Sequence, residues 1–251
     1  MKPLNVLKKY LTMISVILFP NKITVFFLNI LGHKISFKAY VGFSLIFTEK
    51  IYMAPNSKIN HFNIINIDKI LLKEKAKINS YNRIKGPMYL LLGKSASITN
   101  KNIIHRAISP ISYGISIFKL GDFSNIVSGN LIDCTRSVIL GSNTTIAGIG
   151  SQLWTHGYVH SKRGMERIRI DGEINIGNNV YIGSRSIINS GVKVNNSITV
   201  GSNSNVSKSL INEGLYVSQP LRYIEAYDVN IVKLKYKKIT YLNQIEDVYE
   251  K

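Results

Sequence analysis

The chain has 251 residues, 45% of them hydrophobic, with 32 Lys or Arg against 14 Asp or Glu, a formal net charge of +18, and one cysteine. That much apolar material builds a core and excludes a disordered basic tail. The lone Cys134 excludes an internal disulfide framework and a cysteine-based zinc site, and it fits a reducing, cytoplasmic compartment.

The positive charge predicts an anionic partner, whether nucleic acid, an acidic membrane surface or a phosphorylated ligand. It is concentrated at the N-terminal end, where residues 1–85 carry 14 Lys or Arg against Glu49, Asp68 and Glu74, a net +11, and the rest of the chain contributes +7. The longest apolar runs lie there too, at residues 11–20 and 23–32. Each is about half the roughly 20 residues needed to span a bilayer, and Pro20 and Lys22 separate them. No small-x-small cleavage site follows, so a secretory signal is a poor match. Residues 1–30 are therefore expected to form a basic, apolar helical segment. It either lies on a membrane surface or packs on the rest of the protein or a partner subunit.

From Ile176 the chain places Ile or Val at every sixth position: Ile182, Ile188, Val194, Val200 and Val206. Shorter runs in the same frame stand upstream: Leu72, Ile78, Ile84; Leu92, Ile98, Ile104; Leu120, Ile126, Ile132, Val138; and Leu140, Ile146, with Leu31, Phe37 and Phe43 as a weaker first run. Neither a helix nor an ordinary amphipathic strand has a period of six. A chain that turns a corner every six residues does, with one aliphatic side chain per short face pointing inward. Asn and Gly between these positions, as at Asn178-Asn179 and Asn195-Asn196, suit the corners. Three faces close a triangular coil, and stacked coils pair as parallel strands around a column of Ile and Val.

The hexads Ile176-Gly-Asn-Asn-Val-Tyr, Ile182-Gly-Ser-Arg-Ser-Ile and Val200-Gly-Ser-Asn-Ser-Asn resemble the repeat of the hexapeptide acyltransferases. Within that family the chain is similar to the O-acetyltransferases of bacterial polysaccharide and lipopolysaccharide assembly. Those enzymes often begin with a basic apolar segment followed by a motif like Leu31-Gly-His-Lys-Ile-Ser. The resemblance implies an all-β fold, a left-handed parallel β-helix, over residues 31–224, with 225–251 as a short C-terminal extension capping the solenoid or docking on a neighbour. Handedness comes from the resemblance alone. The family also implies acetyl-CoA as donor, a sugar or glycan hydroxyl as acceptor, a homotrimer with the active site between subunits, and no metal.

Between Ile146 and Ile176 the repeat fails, and the stretch Ser151-Gln-Leu-Trp-Thr-His-Gly-Tyr-Val-His160 holds the only tryptophan and two of the five histidines. A segment that leaves a solenoid is released from its packing rule, so its polar and aromatic groups are available to a ligand. The family places a general-base histidine at such a point, where a neutral imidazole accepts the proton of the attacking hydroxyl. By that resemblance His156 or His160 is the base, with surface loop histidines as the other reading, and Trp154 and Tyr158 are acceptor contacts. Asp171 or Glu173 is expected to orient the imidazole. Direct transfer is expected without an acyl-enzyme, Cys134 falling in a repeat position where burial is its role. Gly183 and Ser184 match the family position that donates to the oxyanion, although a coil corner also calls for Gly. Val200 to Lys208 and Asn212 to Arg222 resemble the family's closing pattern, which points to Ser207, Lys208 and Arg222 as coenzyme A contacts or as solvated side chains.

Two other classes bear on the same residues. A zinc-dependent β-helix enzyme needs three converging histidines, and His156 and His160 lack an evident third. A non-enzymatic solenoid binding an anionic polymer or membrane surface answers the charge alone. Nucleic acid is not expected, because the aromatics form no base-stacking motif.

Overall fold

The computed structural model describes residues 3–109, 111–160, 162, 167–218, 222–224, 234, 237–239 and 248–250. Two helices, α1 (Pro3–Leu18) and α2 (Asn21–Ile30), precede a parallel β-solenoid. Successive coils contribute one short strand to each of three sheets of eight, ten and eight strands. One coil reads Val138–Leu140, then Thr145–Ile146, then Gln152–Leu153. Adjacent coils stack at about 4.8 Å, the spacing of hydrogen-bonded strands.

The six-residue frame is the inward column. Leu72, Ile78, Ile84, Leu92, Ile98, Ile104, Leu120, Ile126, Ile132, Val138, Leu140 and Ile146 are buried, as are all six positions from Ile176 to Val206. Each fully buried Ile or Val contributes about 1.5–3 kcal/mol. The first run is offset by two residues. Phe37 and Phe43 point outward, 67% and 49% exposed, and Leu31 is only partly buried; the inward positions are Ile35 and Val41. Phe37 lies in the turn between the strands Lys34–Ile35 and Tyr40–Val41, and Phe43 in the next corner before Leu45–Phe47, where the chain turns side chains away from the core.

Corners are fixed by backbone conformation. Lys75, Ser95, Phe123, Asn143, Asn179 and Ser197 all have φ between 55° and 60°. This left-handed geometry turns each N–H onto the carbonyl of the corner below, as in Asn143 to Asp122, Asn179 to Ser142 and Ser197 to Asn178. The contact sustains a conformation that otherwise costs an L-residue about 1–2 kcal/mol. At another corner, buried Asn63, Asn82, Asn102 and Asn130 stack, each amide oxygen accepting the backbone N–H one coil up, at 2.9–3.0 Å, ending on Ser151.

The helices close the N-terminal end. Thr12, Val16, Thr24, Val25 and Leu28 are buried, and Tyr10 meets Phe47 edge to face. Buried His33 pins α1 to the first coil: its Nδ1 accepts from the N–H of Ile51, which leaves Nε2–H to donate to Thr12 Oγ1 at 2.8 Å. Burial, with Lys8 and Lys50 adding to it, pushes the His33 pKa down to about 3. The opposite helix surface leaves Leu7, Leu11, Ile14, Leu18, Phe26 and Ile30 exposed. No helix of the described residues is long and apolar enough to cross a membrane. At the other end, the strand Arg222–Ile224 pairs antiparallel with Gly214–Val217. The cap expected of residues 225–251 lies largely outside the described residues, which there include the antiparallel strands Lys237–Ile239 and Val248–Glu250.

Replacing Asn102 by Ala removes the acceptor of the Asn130 N–H inside the solenoid. The variant is expected to lose about 2 kcal/mol of unfolding free energy, read as a lower urea midpoint. An unchanged midpoint would show that the ladder does not contribute to stability.

Candidate active site

The site forms at the corner between the third sheet and the first. The strand Leu131–Asp133 ends there, and one coil above it Gln152–Leu153 leads into Trp154, Thr155 and a hairpin formed by His156–His160 and Arg167–Asp171. The hairpin closes on a hydrogen bond from the Gly172 N–H to the Thr155 carbonyl, 2.9 Å. A Cβ at Gly172 would collide with the backbone of Gly191 in the next coil, so only glycine lets the chain rejoin the solenoid here.

At the base of the hairpin, His156 Nδ1 lies 2.9 Å from Asp133 Oδ2. Asp133 is 1% exposed, and its carboxylate also accepts from the Thr155 hydroxyl and N–H and from the Thr135 hydroxyl. Burial alone pushes its pKa up; the hydrogen bonds from Thr155, His156 and Thr135 outweigh that and hold it below the ordinary carboxylate value. An ionised carboxylate only accepts, so Nδ1 carries the proton and the neutral ring presents a bare Nε2. Thr155 is itself fixed, its hydroxyl oxygen accepting the Arg136 N–H at 3.0 Å.

Around the pair the rings alternate edge to face: His105 to Trp154, Trp154 to His156, His156 to Tyr158, and Tyr158 to His160, with centroids 6.0–6.5 Å apart. Trp154 Nε1–H donates to Gln152 Oε1 at 2.8 Å. His105, paired in register with Asp133 one coil below, sets its Nε2 3.9 Å from Asp133 Oδ1, and its Nδ1 is buried without a partner among the described residues. His160 is exposed farther along the hairpin, its ring beside that of Tyr158.

The structure thus brings His156, Trp154 and Tyr158 together and supplies an acid that the sequence reading did not single out. Asp171 instead binds Arg169 Nε at 2.6 Å, and Glu173 lies 3.9 Å from Arg136. Asp133 stands 23 residues before His156, and only the coil register makes them neighbours. Gly183 and Ser184 occupy a different edge of the same chain, after the second-sheet strand Tyr181–Ile182. Gly183 is required there by packing, since a Cβ would strike Ser202, and its N–H is committed to the Val200 carbonyl at 2.8 Å. Ser207 and Lys208 follow the third-sheet strand Asn205–Val206, on the His156 edge two coils above, and both are exposed. The Arg222 side chain lies outside the described residues. Cys134 is fully buried, and burial pushes its thiol pKa well up, so it offers no thiolate. Among the described residues no three His, Cys, Asp or Glu side chains converge on a metal position.

The sequence matches no protein-family model and no curated protein. Among solved structures, the chain is similar to the polySia-specific acetyltransferase NeuO, at 16% identity over 81% of this chain and 90% of that one, TM-score 0.49. It is also similar to AntD, an N-acyltransferase from Bacillus cereus in complex with dTDP and coenzyme A, at 21% identity over 58% and 88%, TM-score 0.43. A hexapeptide-repeat acetyltransferase from Vibrio cholerae O1 biovar eltor, complexed with acetyl coenzyme A, is similar at 21% identity over 55% and 71%, TM-score 0.43. Likeness of this degree concerns the coil architecture and assigns no chemistry.

The lowered Asp133 pKa makes a stability prediction. The ionised, paired carboxylate stabilises the fold above its unfolded value of 3.8, and that contribution disappears as pH falls through the lower folded value. Stability of the wild type should therefore drop more steeply than that of Asp133→Asn as pH falls below 3.8. Equal slopes in denaturant titrations across that range would show the carboxylate to be unperturbed.

Proposed function

We propose that the chain is an acetyl-CoA-dependent O-acetyltransferase that modifies a sugar hydroxyl of a surface polysaccharide or its precursor. The observation that carries this reading is the buried Asp133 carboxylate holding His156 by Nδ1, at the point where the repeat releases an aromatic hairpin. The bare Nε2 takes the proton of an acceptor hydroxyl as its oxygen attacks the thioester carbonyl. Collapse of the tetrahedral adduct breaks the carbon–sulfur bond, and the imidazolium returns the proton to the departing thiolate. Asp133 stabilises the imidazolium between these steps without itself taking the proton. Trp154 and Tyr158 meet the His156 ring edge to face and offer aromatic surface suited to a sugar. Among the described residues His160 has no carboxylate partner comparable to Asp133, which favours His156 as the base.

Ser207 and Lys208, exposed on the same edge, suit the coenzyme phosphates, with Arg222 as a further contact. Gly183 and Ser184 lie on another edge, which supports a site completed by a second copy in a homotrimer, the oxyanion being met by the Ser184 rather than the committed Gly183 N–H. The exposed apolar helix face beside Lys22 and Lys34 supports a peripheral position at the inner face of the membrane.

The test is thiol release from acetyl-CoA in the presence of glycan acceptors. His156→Ala should lower kcat about 10²–10⁴-fold, Asp133→Asn at least about tenfold through the wrong ring tautomer, and His160→Ala little. Transfer that is absent with every acceptor, or unaffected in His156→Ala, would overturn the reading.

A further inference from the structure

The solenoid is interrupted a second time on the edge that carries His156. Residues 106–116 bulge out between the strands Ile103–His105 and Ile117–Leu120. Buried Arg106 ties this loop down: Nη2 donates to the carbonyls of Tyr113 and Gly114, both at 2.8 Å, and Nη1 to that of Pro87. Its Nε is buried with no partner among the described residues. The loop also joins the hairpin above it, because Arg169 Nη1 donates to the Ile111 carbonyl at 2.6 Å and the Arg136 guanidinium lies 4.9 Å over the Tyr113 ring. Loop and hairpin form one continuous wall.

Beneath the loop is a cleft of about 390 Å³, lined by Asp68, Tyr89, Arg106, Ser109 and Tyr113 among others. The Asp68 carboxylate accepts no hydrogen bond among the described residues. Its pKa is raised, chiefly by burial and also by the nearby Glu49 carboxylate, while Lys9 and, less strongly, Arg106 oppose the rise. Tyr113 is 59% exposed and presents its ring at the mouth. A half-buried acceptor, aromatic rings and a serine hydroxyl in a sugar-sized hollow are what a pyranose uses: its hydroxyls donate to the carboxylate and its C–H face lies on a ring.

The cleft reaches from two to four coils below His156, with Asp68 at its far end, so it spans about 10–19 Å along the edge. One sugar cannot fill both places. His105, half-exposed at 40%, lies between them.

We infer that this cleft is an acceptor subsite, holding one unit of a glycan chain while another unit of the same chain reaches His156. The substrate class is thus an oligo- or polysaccharide, not a single sugar. The reaction at His156 rests on the acetyltransferase reading, but binding in the cleft does not.

The probes are two oligosaccharide ladders, from monosaccharide to hexasaccharide, one of glucose and one of sialic acid. Each is titrated into the protein by calorimetry without acetyl-CoA and then used as acceptor with it. Affinity should rise with chain length in one ladder. Asp68→Asn, and Ser109→Trp, which fills the mouth from an exposed position, should each weaken the longer members about tenfold, raising KM with kcat unchanged and leaving the monosaccharide unaffected. Equal affinity for short and long members, binding of neither ladder, or longer members insensitive to both substitutions would overturn the subsite. Chain binding that the two variants weaken, without any acetyl transfer, would keep the subsite and remove the reaction.

Discussion

The structure depends on the register of stacked coils. Each strand is paired on both sides by the coils above and below, so a shift of one residue would turn a whole column of Ile and Val outward. The register extends beyond the apolar column. It aligns the carboxamides of Asn63, Asn82, Asn102 and Asn130 into a satisfied polar ladder, and on the third sheet it stacks Asn66, Lys85, His105 and Asp133 in line. Positions about one coil apart in sequence become nearest neighbours, which is how a carboxylate inside one repeat meets a histidine outside the next.

The same rigidity explains why Asp133 is tolerated in a buried place. A charge taken out of water is costly unless its acceptor capacity is met. Thr135 comes from its own coil and Thr155 from the coil above, and His156 completes the set. Because the coils are locked, these donors cannot drift to accommodate a protonated acid, and the ring is held by Nδ1 with Nε2 turned away. Preorganisation of this kind makes the histidine useful as a proton acceptor, and the hairpin built on it inherits a fixed starting point from Gly172 and Thr155.

The hexads made the solenoid legible because a period of six admits few architectures, and the break after Ile146 marked where side chains leave the core. Other features were hidden for physical reasons. In the first coils, Phe37 and Phe43 fall in corners two residues past the inward Ile35 and Val41, and their apolar side chains mimic the inward column at the same period. Asp133 looks like an ordinary flank of the Ile132 hexad. Its distance to His156 in space follows from coil lengths, and these vary wherever a loop such as 106–116 is inserted. Two breaks in the hexads that fall on one edge are the sequence signal that joins the loop to the hairpin. Gly183 shows the converse: its family position suggested an oxyanion donor, while the coil beside it already demands a residue without Cβ and uses its N–H.

The net charge of +18 also acquires a location. Arg106 and Arg169 are spent as tethers on backbone carbonyls and Asp171, and Arg136 on Tyr113. Lys9, Lys73, Lys75 and Lys94 stand within 4 Å of Glu49, Asp122 or Glu74. What remains exposed near the N-terminal end includes Lys22, Lys34 and Lys38, next to Ile23, Phe26, Ile30 and Phe37. Fields from such surface cations fade over about 8 Å at physiological salt. Their attraction therefore acts where the apolar helix face is bare, and an anionic surface drawn there meets hydrophobic side chains at contact. Lys208 stands exposed two coils above His156, far along the chain from that cluster. The charge that composition presents as one property is divided by the fold between the helical end of the solenoid and the edge that carries His156.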